Sequence, residues 1–116
     1  MGNAKKENSE VYSLTISKQA IHNNDHITDY IAYIKHEPIN AIHVGLEIFK
    51  TIERIEKNPL AFRECSEIPT KNKIYRKAIC LSWLIIYKVK LYDINILGLV
   101  HQHRRPSRIR SIRRAE

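Results

Sequence analysis

The chain has 116 residues, 43% of them hydrophobic and 28% charged, and a formal net charge of +8. This length allows one domain around a single modest core, and the composition excludes a disordered polymer. No apolar run approaches the ~20 residues of a membrane span, and the polar residues 1–10 hold no signal segment, so a cytoplasmic protein is expected.

In chain order, residues 1–10 read as a flexible leader. Tyr12, Leu14 and Ile16 alternate with Ser13 and Thr15, which predicts a strand over Val11–Ile16. Ser17 is placed to cap a helix running to about His36, with Ala20, Ile27, Tyr30, Ile31 and Ile34 as its core stripe. Glu37-Pro38 breaks that helix and opens another. In the second helix Ile42, Leu46, Phe49, Ile52 and Ile55 form the apolar stripe, widened by Ala41, Gly45 and Ile48, until Asn58-Pro59 stops it. The short link predicts an antiparallel helical hairpin.

Beyond a polar loop the period changes to two. Strands are predicted over Ile74–Ile79, Trp83–Lys90 and Ile94–Val100, with Leu91-Tyr92-Asp93 as a hairpin turn. The run Leu84-Ile85-Ile86 implies a middle strand covered on both faces. The result is an α+β domain of order β-α-α-β-β-β, a helical hairpin packed on a mainly antiparallel sheet over residues 11–105, followed by a basic tail over 106–116. Ile109 and Ile112 suggest that this tail has one amphipathic turn able to pack on the domain. Cys65 and Cys80 lie outside any CxxC spacing and read as free thiols.

Charge is divided unequally along this plan. Residues 1–67 hold eight Lys/Arg against ten Asp/Glu; residues 68–116 hold twelve against only Asp93 and Glu116. Six arginines fall between Arg104 and Arg114, directly behind His101-Gln102-His103. Such a half predicts one basic surface for an anionic partner.

Several landmarks in order resemble the RelE/ParE superfamily of bacterial type II toxins. They are the helix entry Ser17-Lys18-Gln19-Ala20, the run Ile27-Thr28-Asp29-Tyr30-Ile31, and the helix ending Ile55-Glu56-Lys57-Asn58-Pro59-Leu60. Tyr75-Arg76, Leu84 to Val89 and Ile96 to Arg105, with its V-H-x-x-R pattern, continue the match over about residues 11–108. The resemblance implies a toxin neutralised by a cognate acidic antitoxin in a hetero-oligomer. RelE-type members cut mRNA on the ribosome, and ParE-type members poison DNA gyrase; neither implies a cofactor or a metal.

Cutting RNA requires activation of a 2′-hydroxyl, charge stabilisation on the phosphate and protonation of the leaving oxygen. Matching Tyr87 to the family's strand tyrosine puts Leu84 where the nuclease branch has an arginine, and no tyrosine follows Val100. A nuclease here would have to rely on His101, His103, Arg76 and Lys77, the last two assigned to one basic sheet face. Gyrase binding needs only a surface, for which Arg76, His101, Arg104, Arg105, Arg108 and Arg110 are the candidates, and this reading is preferred. An inactive member that only binds antitoxin is a third reading. Arg76 has a structural alternative as the partner of Glu64 or Glu67, and His22 and His26 read as a surface pair without a third metal ligand.

Overall fold

The computed structural model describes residues 11–114; the leader assigned to residues 1–10 lies outside them. Strand β1 is Ser13–Ile16 and helix α1 is Lys18–Asp29, extended by a π turn over Tyr30–Ile34. Helix α2 spans Pro38–Lys57, and a single 3-10 turn follows at Pro59–Ala61. Strands β2 (Tyr75–Cys80), β3 (Trp83–Lys90) and β4 (Asp93–His101) precede helix α3, Pro106–Arg114. The sheet order is β1-β4-β3-β2, with β1 parallel to β4 and the other pairs antiparallel. This is the expected α+β architecture of a helical hairpin on one face of the sheet, to which α3 adds a helix on the opposite face.

Ser17 caps α1 as its spacing predicts: its Oγ accepts the Ala20 N–H at 3.0 Å and donates to the Leu97 carbonyl at 3.0 Å. The same hydroxyl therefore starts the helix and ties it to β4. The far end of α1 departs from the prediction. Lys35 N–H bonds the Tyr30 carbonyl five residues back, and His36 ends the turn at a φ of 56°. The widened turn keeps Ile31 buried, while Tyr30 is 51% and Ile34 64% exposed, so neither belongs to the core stripe assigned to them.

The stripe assigned to α2 is likewise rotated. Its buried face is Ala41, Val44, Ile48, Thr51, Ile52 and Ile55, packed over Ala78, Ile85, Tyr87, Ile94, Ile96 and Leu99 of the sheet. Ile42, Leu46 and Phe49 are 64%, 54% and 58% exposed, and with Ile39 they form a second, outward stripe. A helix that is apolar on two sides gives a broad signal whose centre does not identify the core side.

The opposite sheet face carries a second core. Leu84, Ile86, Leu97 and Val100 are covered by Cys65 and Ile68 from the α2–β2 loop and by Ile109 and Ile112 from α3. The segment set apart as a basic tail is thus, over Pro106–Arg114, a helix that packs its two isoleucines on the sheet. Strand β3 is covered on both sides, as its unbroken apolar run implies, with Leu84 to Tyr87 all buried.

One irregularity sets the direction of β4. Counting from the terminal pair Lys90–Asp93, a regular hairpin would put Trp83 opposite Val100. A β-bulge opposite the Ile86/Tyr87 step shifts the register, and Trp83 instead faces His101. Ile94 and Ile96 point toward the helical hairpin, Leu97 points away, and Leu99 again points toward it. The extra residue therefore exchanges the faces of everything that follows.

Candidate functional site

Arg76 and Lys77 do not form one basic face. As neighbours on β2 they project to opposite sides of the sheet. Arg76 lies on the helical side, where its Nη1 donates to the Phe62 carbonyl at 2.7 Å and more weakly to that of Leu60 at 3.4 Å. It holds the chain that leaves α2. Its partners are backbone carbonyls and not the carboxylates of Glu64 or Glu67.

Lys77 lies on the second face and pairs with Glu67, Nζ to Oε1 at 3.1 Å and to Oε2 at 3.3 Å. Burial alone would raise the Glu67 carboxyl, but its own backbone N–H, the Lys77 ammonium and the Cys65 thiol together hold it below its ordinary value. The Cys65 thiol donates to Glu67 Oε1 at 3.5 Å. Burial, reinforced by the Glu67 carboxylate, pushes that thiol up to about 11. Leu84 occupies the centre of this face at 5% exposure. The centre of the face that would need an arginine for phosphate chemistry is therefore apolar; around it Lys77 pairs with Glu67, and Lys88 and Arg113 lie over the Tyr75 ring at 5.7 and 5.3 Å.

Tyr87 is fully buried on the other side and donates its hydroxyl to the Pro59 carbonyl. Burial pushes its pKa up, against the opposing charge of Arg76. This is a core tyrosine that anchors the end of α2, and it is unavailable to a ligand.

The histidines converge elsewhere. At the end of β4 the His101 ring packs edge-on to Trp83, its cross-strand partner, at 6.1 Å between centroids. The His103 ring lies 5.3 Å from His101, and the His103 backbone N–H donates to His101 Nδ1 at 3.2 Å. That bond puts the neutral His101 proton on Nε2. Arg104 N–H bonds the His101 carbonyl at 3.0 Å, closing the turn. His26, Ile27 and Tyr30 of the helical layer complete a groove of about 510 Å³ with Trp83, His101, His103 and Arg104. A second hollow of about 580 Å³ shares Tyr30, Trp83 and His101 and runs toward Lys35 and His43.

Thus His101, His103 and Arg104 are brought together, whereas Arg76 and Lys77 belong to other parts of the fold. Arg105, Arg108 and Arg110 are exposed around α3. The participation of Tyr30 and His26 was not read from the sequence, because both were placed on a helix treated as core or surface. The signal was available in part: Tyr30 belongs to the I-x-x-Y-I run, and His101 and Arg104 to the V-H-x-x-R pattern. His22 and His26 stack at 6.5 Å, and among the described residues no group of three or more His, Cys, Asp or Glu side chains could hold a metal ion.

A helical hairpin on a four-stranded mixed sheet, with a groove at the end of β4 that gathers His101, His103 and Arg104, defines a small α+β domain. The model of the family described as ParE toxin of type II toxin-antitoxin system, parDE, matches residues 14–106, and the chain belongs to that family. Among solved structures, a chain of the chromosomal ParDE TA system from P. aeruginosa is similar in fold. It superposes with a TM-score of 0.62 at 19% identity, covering 79% of this chain and 97% of that one. No protein of curated function matches in sequence. Among the described residues no helix is long and apolar enough to cross a membrane.

Proposed function

We infer that this protein arrests growth by binding DNA gyrase, without cutting RNA, and that a cognate acidic antitoxin neutralises it in the cytoplasm. One observation carries the choice of target: Leu84 is buried beneath Ile109 and Ile112 where an RNA-cleaving relative would present an arginine. An aliphatic side chain under a helix neither pairs with a phosphate nor moves a proton. The working surface of this reading is the strand-end groove, His101 and Arg104 first, continued by Arg105, Arg108 and Arg110.

The antitoxin reading is supported by two surfaces. The arginines of α3 suit acidic segments, and the exposed Ile39, Ile42, Leu46 and Phe49 stripe of α2 suits the apolar side of an amphipathic helix. The structural relative comes from a ParDE system, which fits a partnered toxin.

Purified protein titrated into a gyrase supercoiling reaction tests the target. Inhibition at near-stoichiometric ratio, weakened by Arg104→Ala, is the expected result. Unchanged supercoiling at excess toxin, with discrete cuts in translated messages on induction, would replace this reading with the nuclease.

A further inference from the structure

We propose that the strand-end groove binds an unpaired nucleic-acid strand, stacking a base against Trp83 and Tyr30 with the adjoining phosphate at Arg104. The inference rests on the reading above only in taking this groove as the working face. It adds that the groove's ligand is the nucleic acid itself.

The groove has the chemistry of such a site. Trp83 and Tyr30 supply aromatic surface from two different elements, a strand and a π turn, and both border the two adjoining hollows. Base–aromatic stacking is tolerant of sequence and is a principal source of affinity for single strands. Its volume of about 510 Å³ suits one nucleotide-sized group. No carboxylate lines that hollow, so nothing there repels a phosphate. Arg104 is exposed at its rim, and Arg105 next to it in the chain is exposed as well.

The polar atoms also fit. His101, with Nδ1 occupied by the His103 backbone, offers an Nε2–H donor of the kind that a base edge or a phosphate oxygen accepts. An acidic peptide would use the arginine but leave the aromatic surfaces without a matching flat partner. A regular duplex keeps its base faces stacked and hidden, so it too would meet only the charge. The unpaired strand is the class that uses all three kinds of group.

Trp83 is the only tryptophan of the chain, so its fluorescence reports the groove directly. The full-length protein is titrated with a 12-nucleotide single-stranded DNA of mixed sequence, the matching duplex, and polyglutamate. The expected result is saturable quenching by the single strand at least fivefold tighter than by the duplex, with little change from polyglutamate. Tyr30→Ala is expected to weaken binding roughly tenfold with the salt dependence kept. Arg104→Ala, at an exposed position, is expected to weaken it and lower the logarithmic salt slope by about one. Circular dichroism confirms that each variant is folded, and a Tyr30→Phe variant that binds like the parent separates stacking from loss of structure. Equal quenching by single strand and duplex would overturn the proposal. So would quenching by polyglutamate as strong as by DNA, or a folded Tyr30→Ala variant that binds normally. Because gyrase is absent from this titration, its failure and that of the gyrase reading are separately visible.

Discussion

Asn23 of α1 holds the β4 backbone just past the bulge, its Oδ1 accepting the Leu99 N–H at 3.1 Å. Leu99 is buried and lies beyond the end of β1, whose pairing with β4 stops at Ile96, so a side chain from the helical layer supplies the acceptor. Asn23→Ala would leave that donor unpaired. A loss of about 1–3 kcal/mol is expected from urea unfolding, with Asn23→Asp losing less because it keeps an acceptor.

Gly98 lies beside this contact. A Cβ there would sit 3.1 Å from Asn23 Oδ1 and 3.4 Å from Ile112 Cδ1. Gly98→Ala is therefore expected to displace Asn23 and destabilise by about 1–2 kcal/mol. An increased melting temperature for this variant would refute the close packing of α3 on β4.

The two kinds of residue on α3 should separate cleanly. Ile112→Ala opens a cavity against Leu97 and Val100, so a loss of about 2–4 kcal/mol is expected in chemical denaturation. Arg110→Ala, fully on the solvent side, is expected to change stability by no more than about 0.5 kcal/mol.

The Glu67–Lys77 pair contributes to stability with a defined pH dependence. The Glu67 carboxyl is held below its ordinary value of 4.5 when folded, so the contribution is present above that value and is lost as pH falls through the lower, folded one. Glu67→Gln is expected to cost about 1 kcal/mol at neutral pH. The gap from the parent should close in acid, which thermal melts from pH 7 down to 2 would detect.

Neither cysteine should report as a reactive thiol. Both are buried, and Cys65 is pushed up to about 11, so almost none of it is thiolate near neutrality. Native protein is expected to react with a disulfide reagent only at the rate of unfolding, and to release two equivalents at once in denaturant. A fast native equivalent would contradict the packing around Cys65.

The α2 outer stripe gives a test that leaves the fold alone. Leu46→Asp and Phe49→Asp replace side chains more than half exposed. Melting is expected to stay within about 0.5 kcal/mol of the parent. Pull-down of a cognate antitoxin is expected to fall sharply, and undiminished capture would remove this face from the antitoxin interface.

The sequence made the order of elements legible, because caps, breakers and the change of period are local features. Ser17, Pro38 and Asn58-Pro59 mark ends by chemistry that acts within a few residues. The faces of α2 were not legible, since Ile42 and Leu46 are as apolar as Val44 and Ile48 and only the neighbouring sheet decides which side is covered. The separation of Arg76 from Lys77 follows from strand alternation alone and was available. The groove was only half legible: His101 and Arg104 are close in sequence, but Tyr30 arrives through the folding of a helix that ends in a π turn. The register that puts Trp83 beside His101 depends on a bulge at Leu97, which the sequence marks only by the neighbouring Gly98.

Helix α3 combines two duties that the chain cannot separate by length. Its arginines face solvent, while Ile109 and Ile112 close the second core, and the family match ends at residue 106, before either isoleucine. Cutting the chain there to remove positive charge would also strip the cover from Leu84, Ile86, Leu97 and Val100. A truncated form that had lost its toxicity would then be evidence of a ruined sheet, and only arginine-by-arginine replacement can ask what the charge is for.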